Sequence, residues 1–540
     1  MRAGFSASLT LYGVGGRGGT VYQAGTKGDA PPTRPRDENL TSTTLPPEET
    51  SGAFPADTRG MFLRVFPSIM LPMFLAIADQ TIVATALPAI AASLGDIEHI
   101  SWIIVSYLIA STIAAPLYGY LGDRFGRRRL MFVALGIYML GAVLNSLAPS
   151  VMVLAITRFV QGLGGGGLMS MSQALIGEVV PPRQRGKYQG YLAAISVSAT
   201  AIGPLLGAYL TLTFGWRSVF FMNIPAALIA IVLTMRLRAR PGNKGEWNFD
   251  FLGLILFTCV VIPTLLALQN ARTFEVSALP LIFGLFAFAA AALFFLLRQE
   301  RSTPSPLLPI DLMRQRGVWM TQLVAVAHGA TLTAFIAFMP LYLHIMNIAP
   351  LQQVGWILLT STASIATASM LTGRFITRTG MTMIAPSVGL IVACLSMINF
   401  AFNAAHMSFL QVAIAVCIAA LGMGTVMSVV QVTIQTLAGR RRLGAASGSI
   451  QLARTVGAAL GTTLFATVLF ASLALSDADA AQMFAGILNH GPEALQTLAS
   501  ERRAIVMGEI GAAFRNAYLL LAILSGCGAV LAWFNPSRRV

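Results

Sequence analysis

The stretch Met61-Phe-Leu-Arg-Val-Phe-Pro-Ser-Ile-Met-Leu-Pro-Met-Phe-Leu-Ala-Ile-Ala-Asp79-Gln-Thr-Ile-Val-Ala-Thr-Ala-Leu-Pro88 decides how this chain is read. After Arg64 nearly every position is apolar or small. As a helix the stretch is long enough to cross the ~30 Å hydrocarbon core of a bilayer. Asp79 nevertheless lies deep inside it. Of the 21 acidic residues it is the only one so placed; the others fall in tails, in loops or within a turn of a span end. A carboxylate at mid-membrane costs about 3 kcal/mol on the insertion scale. A group that costly is either held by a partner, as a salt-bridged structural acid, or kept because it takes up and releases a proton.

Outward from this stretch, the whole chain has the same character. Its 540 residues are 56% hydrophobic and only 11% charged, with a mean hydropathy of +0.72. A soluble chain carries about 25% charged residues, so the solvent here is lipid. The apolar stretches are long, rich in Gly and Ala and not alternating, which predicts helices rather than barrel strands. Fourteen spans are expected, at 62–88, 99–121, 130–148, 151–177, 188–212, 217–236, 250–269, 277–297, 318–345, 351–374, 382–402, 408–435, 446–472 and 515–534. The predicted class is an all-α polytopic membrane protein.

The formal charge of +15 does not point to nucleic acid, because the basic residues cluster in every second connection. Arg124, Arg127, Arg128 and Arg129 fill one; Arg183, Arg185 and Lys187 the next; Arg440, Arg441 and Arg442 a later one. This is the positive-inside pattern. It predicts a multi-pass protein of a cell inner membrane with both termini cytoplasmic, its partner surface being the lipid bilayer. Residues 1–60 are Gly-, Thr- and Pro-rich and read as a disordered cytoplasmic tail, with Met61 an alternative start. The loop 473–514 is expected on the periplasmic side. Cys259, Cys394, Cys417 and Cys527 all lie within apolar runs and lack metal-ligand spacing, so core packing is expected and neither metal nor cofactor. No Gly-x-x-x-x-Gly-Lys-Ser/Thr loop and no nucleophile–base pattern occurs. An enzyme is not expected, and transport would run on an ion gradient or on the substrate's own.

The chain repeats itself. Trp102, Gly119, Arg124 and Gly126 recur as Trp356, Gly373, Arg378 and Gly380 at an offset of 254. Gly164, Gly166, Gln173, Gly186, Gly190 and Gly203 recur as Gly422, Gly424, Gln431, Gly444, Gly448 and Gly461 at an offset of 258. So long a period is a duplicated half. The expected domains are a six-helix bundle over 61–240, two inserted helices over 241–300 and a second six-helix bundle over 301–540. Duplicated halves around a mid-membrane site are a common transporter design. The offset carries Asp79 onto Thr333, which confines any proton site to the first half.

At this point the residues resemble a known family. Gly119-Tyr-Leu-Gly-Asp123-Arg124-Phe-Gly126-Arg127-Arg128-Arg129 is similar to the loop between helices 2 and 3 of the major facilitator superfamily. Asp79-Gln-Thr-Ile-Val-Ala-Thr-Ala-Leu-Pro88 resembles the first-helix signature of its 14-helix drug:proton antiporters, the exporters of drugs and quaternary ammonium compounds. Arg158-Phe-Val-Gln161-Gly162 resembles their fourth-helix motif, and Gly203-Pro204-Leu-Leu-Gly207 their helix-5 antiporter motif, followed by Trp216-Arg217 and Asn223-Ile-Pro225. The sequence departs from the family at Ser196 to Thr200 and at Ala208, where extra glycines are common.

The resemblance implies the major facilitator fold, two six-helix bundles with two extra helices between them. It implies proton coupling through Asp79 and Arg158, and a cytoplasmic gate built from Gly119, Asp123, Arg124, Gly126 and Arg127. It implies a helix 5 whose Gly203, Pro204 and Gly207 pack against the other half. Thr81, Gln161 and Arg454 are expected at the substrate cavity; Gln161, three residues after Arg158 on nearly the same helix face, would donate either to a substrate or to the Asp79–Arg158 pair. Arg454 is a second intramembrane cation with no acid near it in sequence; a carbonyl, water or an anionic substrate would each satisfy it. His328 reads more readily as a packed polar residue than as a proton relay. The expected activity is export of a lipophilic or cationic small molecule in exchange for protons by a functional monomer, with room for a periplasmic adaptor protein as partner. A dedicated exporter of one metabolite or siderophore is the alternative. A non-transporting sensor or assembly subunit is a different class that would have no use for Asp79 together with Arg158.

Overall fold

The computed structural model describes residues 58–96, 99–237, 249–271, 278–303, 306–308, 310–346, 348, 351–476, 484 and 500–539. The expected tail therefore lies outside the described residues except for 58–60. Among the described residues, fourteen helices are long and apolar enough to cross a membrane. They are α1 (Thr58–Leu94), α2 (Trp102–Phe125), α3 (Arg127–Ser146), α4 (Val151–Val179), α5 (Pro182–Phe214), α6 (Ser218–Met235), α7 (Phe251–Asn270), α8 (Leu279–Ser302), α9 (Arg316–Ile345), α10 (Leu351–Thr379), α11 (Ile384–Asn403), α12 (Phe409–Ala438), α13 (Leu443–Ser476) and α14 (Ser500–Trp533). The α6 span is interrupted at Met222 and the α12 span at Thr425.

One boundary needs correction. Residues 500–514, expected in a long loop, form the first turns of α14, while 477–483 and 485–499 lie outside the described residues. Charged residues such as Arg502, Arg503 and Glu509 lower the apolar signal there. The helix is still held by a stripe at helical spacing, Val506, Ile510, Phe514 and Ala517, all fully buried.

Each half has its own core. In the first, Phe66, Met131, Tyr138, Leu168, Leu175 and Leu192 pack together; in the second, Phe335, Phe400, Phe465, Phe514 and Tyr518 form an aromatic cluster. The internal repeat is visible as repeated crossings. Gly166 of α4 lies against the Ser111 carbonyl of α2, and its repeat mate Gly424 of α12 lies against the Ile365 carbonyl of α10. Small residues at such points let backbones approach closely, which is what drives helix association in lipid. The run Gly164 to Gly167 serves the same end. Each glycine is buried against Tyr138, Tyr107, Ser111 or Tyr118, so the run is tightly packed helix.

The halves meet at the end of the bundle that carries the basic loops, and the contact obeys the repeat. Gly119 of α2 meets Gly444 of α13, while their repeat mates Gly373 of α10 and Gly186 of α5 meet each other. A methyl group on Gly190 would sit 2.8 Å from the Ser369 carbonyl, and one on its mate Gly448 2.8 Å from the Ala115 carbonyl. The C-terminal tail is at the same end, where Thr382 at the start of α11 donates through its amide to Arg538 O (3.0 Å) and through Oγ1 to Ser537 O (2.7 Å). The inserted helix α7 packs along the seam between α2 and α13, with Phe257, Val261 and Leu265 among Val105, Ile109 and Ala459. Thr463 Oγ1 of α13 donates to Leu268 O of α7 at 3.1 Å. Helix α8 turns Phe283, Phe288, Phe294 and Phe295 outward, an apolar face suited to lipid.

Candidate functional site

Asp79 is 0% exposed and Arg158 1%. Arg158 Nη1 donates to Asp79 Oδ2 at 2.5 Å. The other carboxylate oxygen accepts from Asn223 Nδ2 of α6 (2.7 Å) and Gln161 Nε2 of α4 (3.2 Å). Arg158 also donates to Gln161 Oε1 (2.6 Å) and to Ile103 O of α2 (3.4 Å). Asn145 Nδ2 of α3 donates to the same Gln161 oxygen at 2.5 Å. The guanidinium lies 4.3 Å over the Tyr107 ring and 5.9 Å from that of Phe220. Taking two charges out of water is costly unless the remaining lone pairs and protons are satisfied. Here five helices of the first half, α1, α2, α3, α4 and α6, each supply a group. Arg158 keeps three supports besides the acid, so neutralising Asp79 by a proton would not leave the guanidinium bare.

The helix-5 motif lies against this cluster and not where it was expected. A Cβ on Gly203 would run into Thr81, beside the Ala78 carbonyl, and one on Gly207 into Thr85 and Ile82. Both neighbours belong to α1, in the same half. Contact of α5 with the other half is made instead by Gly186 and Gly190, about four to six turns earlier along the helix. The reason is geometric: a helix this long serves different neighbours at its two ends. Thr81 is corrected with it. Its Oγ1 donates to Ala78 O at 2.9 Å and abuts Gly203, so it belongs to the α1–α5 contact and not to the cavity described below. Gln161 is likewise committed to Asp79, Arg158 and Asn145 and does not line that cavity.

At the basic end Asp123 closes α13 onto α2. Its two oxygens accept from Gly444 N, each at 3.0 Å, and Oδ2 accepts from Ala445 N at 3.1 Å. These are the first turn of α13, where free amides and the helix dipole favour an anion. Arg127 ties the acid down, with Nη2 2.5 Å from Asp123 Oδ1 and Nη1 2.6 Å from Glu178 Oε2 of α4; Nη2 also donates across the halves to Arg440 O at 3.4 Å. Gly126 makes the turn from α2 into α3 at φ 95°, and its repeat mate Gly380 does so between α10 and α11 at φ 70°, a region other residues rarely adopt. Arg124 has no carboxylate within salt-bridge distance among the described residues. The repeat mate of Asp123 is Thr377, whose hydroxyl donates to Gly373 O of its own helix at 2.8 Å.

Between the halves lies a cavity of about 20 Å³, lined by Gln173 of α4, His328 of α9, Met427 and Gln431 of α12, and Gln451 and Arg454 of α13, with Ala and branched aliphatic residues between them. That volume holds a water or two. Arg454 Nη2 donates to Gln451 Oε1 (3.0 Å) and Nη1 approaches Met427 Sδ (3.5 Å). Gln435 Nε2 donates across the halves to Gln173 O at 2.9 Å. Of the expected cavity residues only Arg454 is here.

Sequence reading had passed over Asn145, Glu178 and Gln451 as site groups. A usable signal existed for two neighbours: Gln173 and Gln431 are repeat mates, and both line the cavity. Asn145 is the one amide in its span, a weaker hint.

Repeated six-helix bundles with a small polar cavity between them are an architecture shared by many membrane transporters. Residues 69–462 match the Major Facilitator Superfamily, and the chain belongs to that superfamily. It is 29% identical over 403 residues to the multidrug transporter protein MdtP of Bacillus subtilis, covering 74% of each chain. It is 26% identical over 423 residues to multidrug resistance protein 3 of the same organism, covering 78% of this chain and 81% of the other. An uncharacterized MFS-type transporter of Mycobacterium tuberculosis is 30% identical over 403 residues, 74% of this chain; the match spans only 58% of that longer relative. Among solved structures, the proton:xylose symporter XylE bound to 6-bromo-6-deoxy-D-glucose superposes with a TM-score of 0.56 at 15% identity, covering 89% of this chain and 98% of that one. At that identity the likeness concerns the fold. By its family and its candidate spans the chain is a multi-pass membrane protein.

Proposed function

We propose that the protein is a proton-coupled exporter of lipophilic small molecules, working by antiport in a cell inner membrane. The observation that carries this reading is the fully buried Asp79–Arg158 pair, braced by neutral amides. A purely structural transporter half needs no such pair, and the described residues of the second half form none. The relatives named as multidrug transporters and efflux pumps support the export direction and a broad cargo. The basic loops support a cytoplasmic position for the closed end and for the termini. In this orientation the described conformation is shut toward the cytoplasm.

The coupling runs through α1. A proton arriving at Asp79 weakens its bond to Arg158, which the Gln161 oxygen, the Ile103 carbonyl and the Tyr107 ring retain. The turn bearing Asp79 is the one that Gly203 contacts through Ala78 and Thr81, so a change there reaches α5, and α5 at its other end holds α10 through Gly186 and Gly190. Asp79 does not reach the cavity. A carboxylate shared in turn by a cationic cargo and the proton therefore has no support in this conformation, and coupling by linked conformations is the better reading.

The test uses proteoliposomes with an imposed pH gradient and a panel of lipophilic dyes of either charge. Uptake driven by the gradient is expected from the intact protein and not from Asp79→Asn. Equal transport with and without the gradient would overturn the coupling.

A further inference from the structure

Within the spans, Arg127 and Arg158 are each met by a carboxylate. Arg454 is not. It lies well inside α13, cannot shed its proton, and has no carboxylate within salt-bridge distance among the described residues. Its described partners are an amide oxygen and a thioether. An intramembrane cation without a counter-charge marks a place where a ligand supplies one.

A second, independent observation points the same way. His328 is 3% exposed, lines the same cavity, and its Nδ1 has no hydrogen-bond partner. Gln173, reaching in from the first half, also has its side-chain oxygen buried and unpaired. Buried polar atoms are mostly satisfied in native proteins, so two unpaired ones beside a cation without a counter-charge mark an unfinished site. Ala325, Val426, Val430 and Ile450 form the rest of the wall, which suits a hydrocarbon body. No Asp or Glu lines it.

We propose that the cavity is the cargo site and that the cargo is an amphipathic organic acid, its carboxylate or sulfonate received by Arg454 with His328 and Gln173 beside it and its apolar body against α9 and α12. This rests on the exporter reading and narrows it, replacing a cationic cargo by an anionic one. Because Gln173 belongs to the first half and Arg454 to the second, such an anion is held between the halves. At about 20 Å³ the space is collapsed here, and the halves part to admit the acid.

The purified full-length protein in detergent tests this through ligand-induced stabilisation. The probes are 2-naphthoate and 2-naphthalenesulfonate, the matched cation 2-naphthyltrimethylammonium, and sodium sulfate. The two aromatic acids are expected to raise the melting temperature at concentrations where the ammonium and sulfate do not. Arg454→Gln is expected to weaken naphthoate at least about tenfold, as for a lost hydrogen bond to a charged group, and Arg454→Lys less. Stronger stabilisation by the ammonium, an equal response to sulfate, or unchanged naphthoate affinity in Arg454→Gln overturns the proposal. The comparison of acid with ammonium needs no variant, so it stands even where Arg454→Gln fails to fold. It also needs no proton gradient. A protein that favours naphthoate but transports without pH dependence sinks only the coupling; one that runs on protons but favours the ammonium sinks only this inference.

Discussion

The two halves share one ancestry in sequence and one set of helix crossings, but they place charge differently. In the first, Asp79, Arg158, Gln161, Asn145 and Asn223 form a closed polar cluster. In the second, the repeat mates of Arg158 and Gln161 are Val416 and Ala419, both buried in the apolar core. Gly461 faces Ala330 where Gly203 faces Ala78, so the residue on the turn matching Asp79 is Thr331, two positions from the Thr333 that the linear offset gives. Thr331 merely donates to Ala327 O at 2.9 Å. The second half instead carries Arg454 where the first has Ser196. On the proposed reading, the charge paired inside its own bundle is the one that handles protons, the charge left open toward the partner bundle is the one that meets cargo, and movement of one half against the other would link the two.

The strongest way to break this comparison is to disarm the first half. Asp79→Asn leaves Arg158 buried without its counter-charge, which costs about 3 kcal/mol or more of stability, and is expected to abolish gradient-driven transport. Asp79→Asn combined with Arg158→Gln is expected to regain most of the lost stability, read as melting temperature in detergent, and none of the transport. If the double variant still transports with the gradient, the cluster is only structural.

The next effect belongs to the contact both halves share. A Cβ on Gly119 meets the Gly444 backbone, and one on Gly373 meets that of Gly186. Overpacking of this sort costs about 1–3 kcal/mol. Gly119→Ala and Gly373→Ala should therefore open the basic end to a similar degree. The readout is the labelling rate of a cysteine placed at Ala445, in a background with the four native cysteines replaced by alanine. Unequal effects would mean that the repeat is conserved in shape and not in energy.

The sequence made the architecture readable because a span is a property of composition, and the repeat because Trp102, Gly119, Arg124 and their mates kept fixed spacing. The mates prove structural: Gly119, Gly186, Gly373 and Gly444 all belong to the inter-half contact. Arg158 stood out as a charge in an apolar span. The positions of Thr81 and Gln161 were not readable. In helices apolar on every face, periodicity carries no orientation, so which side of α1 meets α5 and which side of α4 meets Asn145 emerges only from packing. The beginning of α14 was missed for the opposite reason, since its charges hid a regular buried stripe.

The smallest expected effects come from the paired positions Asp123 and Thr377, and they sharpen the comparison most finely. Asp123 receives amides of the first turn of α13 from across the interface, whereas Thr377 bonds within its own helix. Removing the charge in Asp123→Asn forfeits a helix-terminus interaction of about 1 kcal/mol, roughly a fivefold shift toward the open basic end. Arg127 retains Glu178 in that variant, so the protein is expected to stay folded and to bind cargo while cycling more slowly. Thr377→Val keeps the shape and removes only an internal bond whose loss exposes nothing at the interface, so its cysteine labelling rate at Ala445 is expected to match that of the unaltered protein. If Thr377→Val opens the end as far as Asp123→Asn does, the latch is not the acid at the helix terminus, and the asymmetry between the halves stops at the buried cluster.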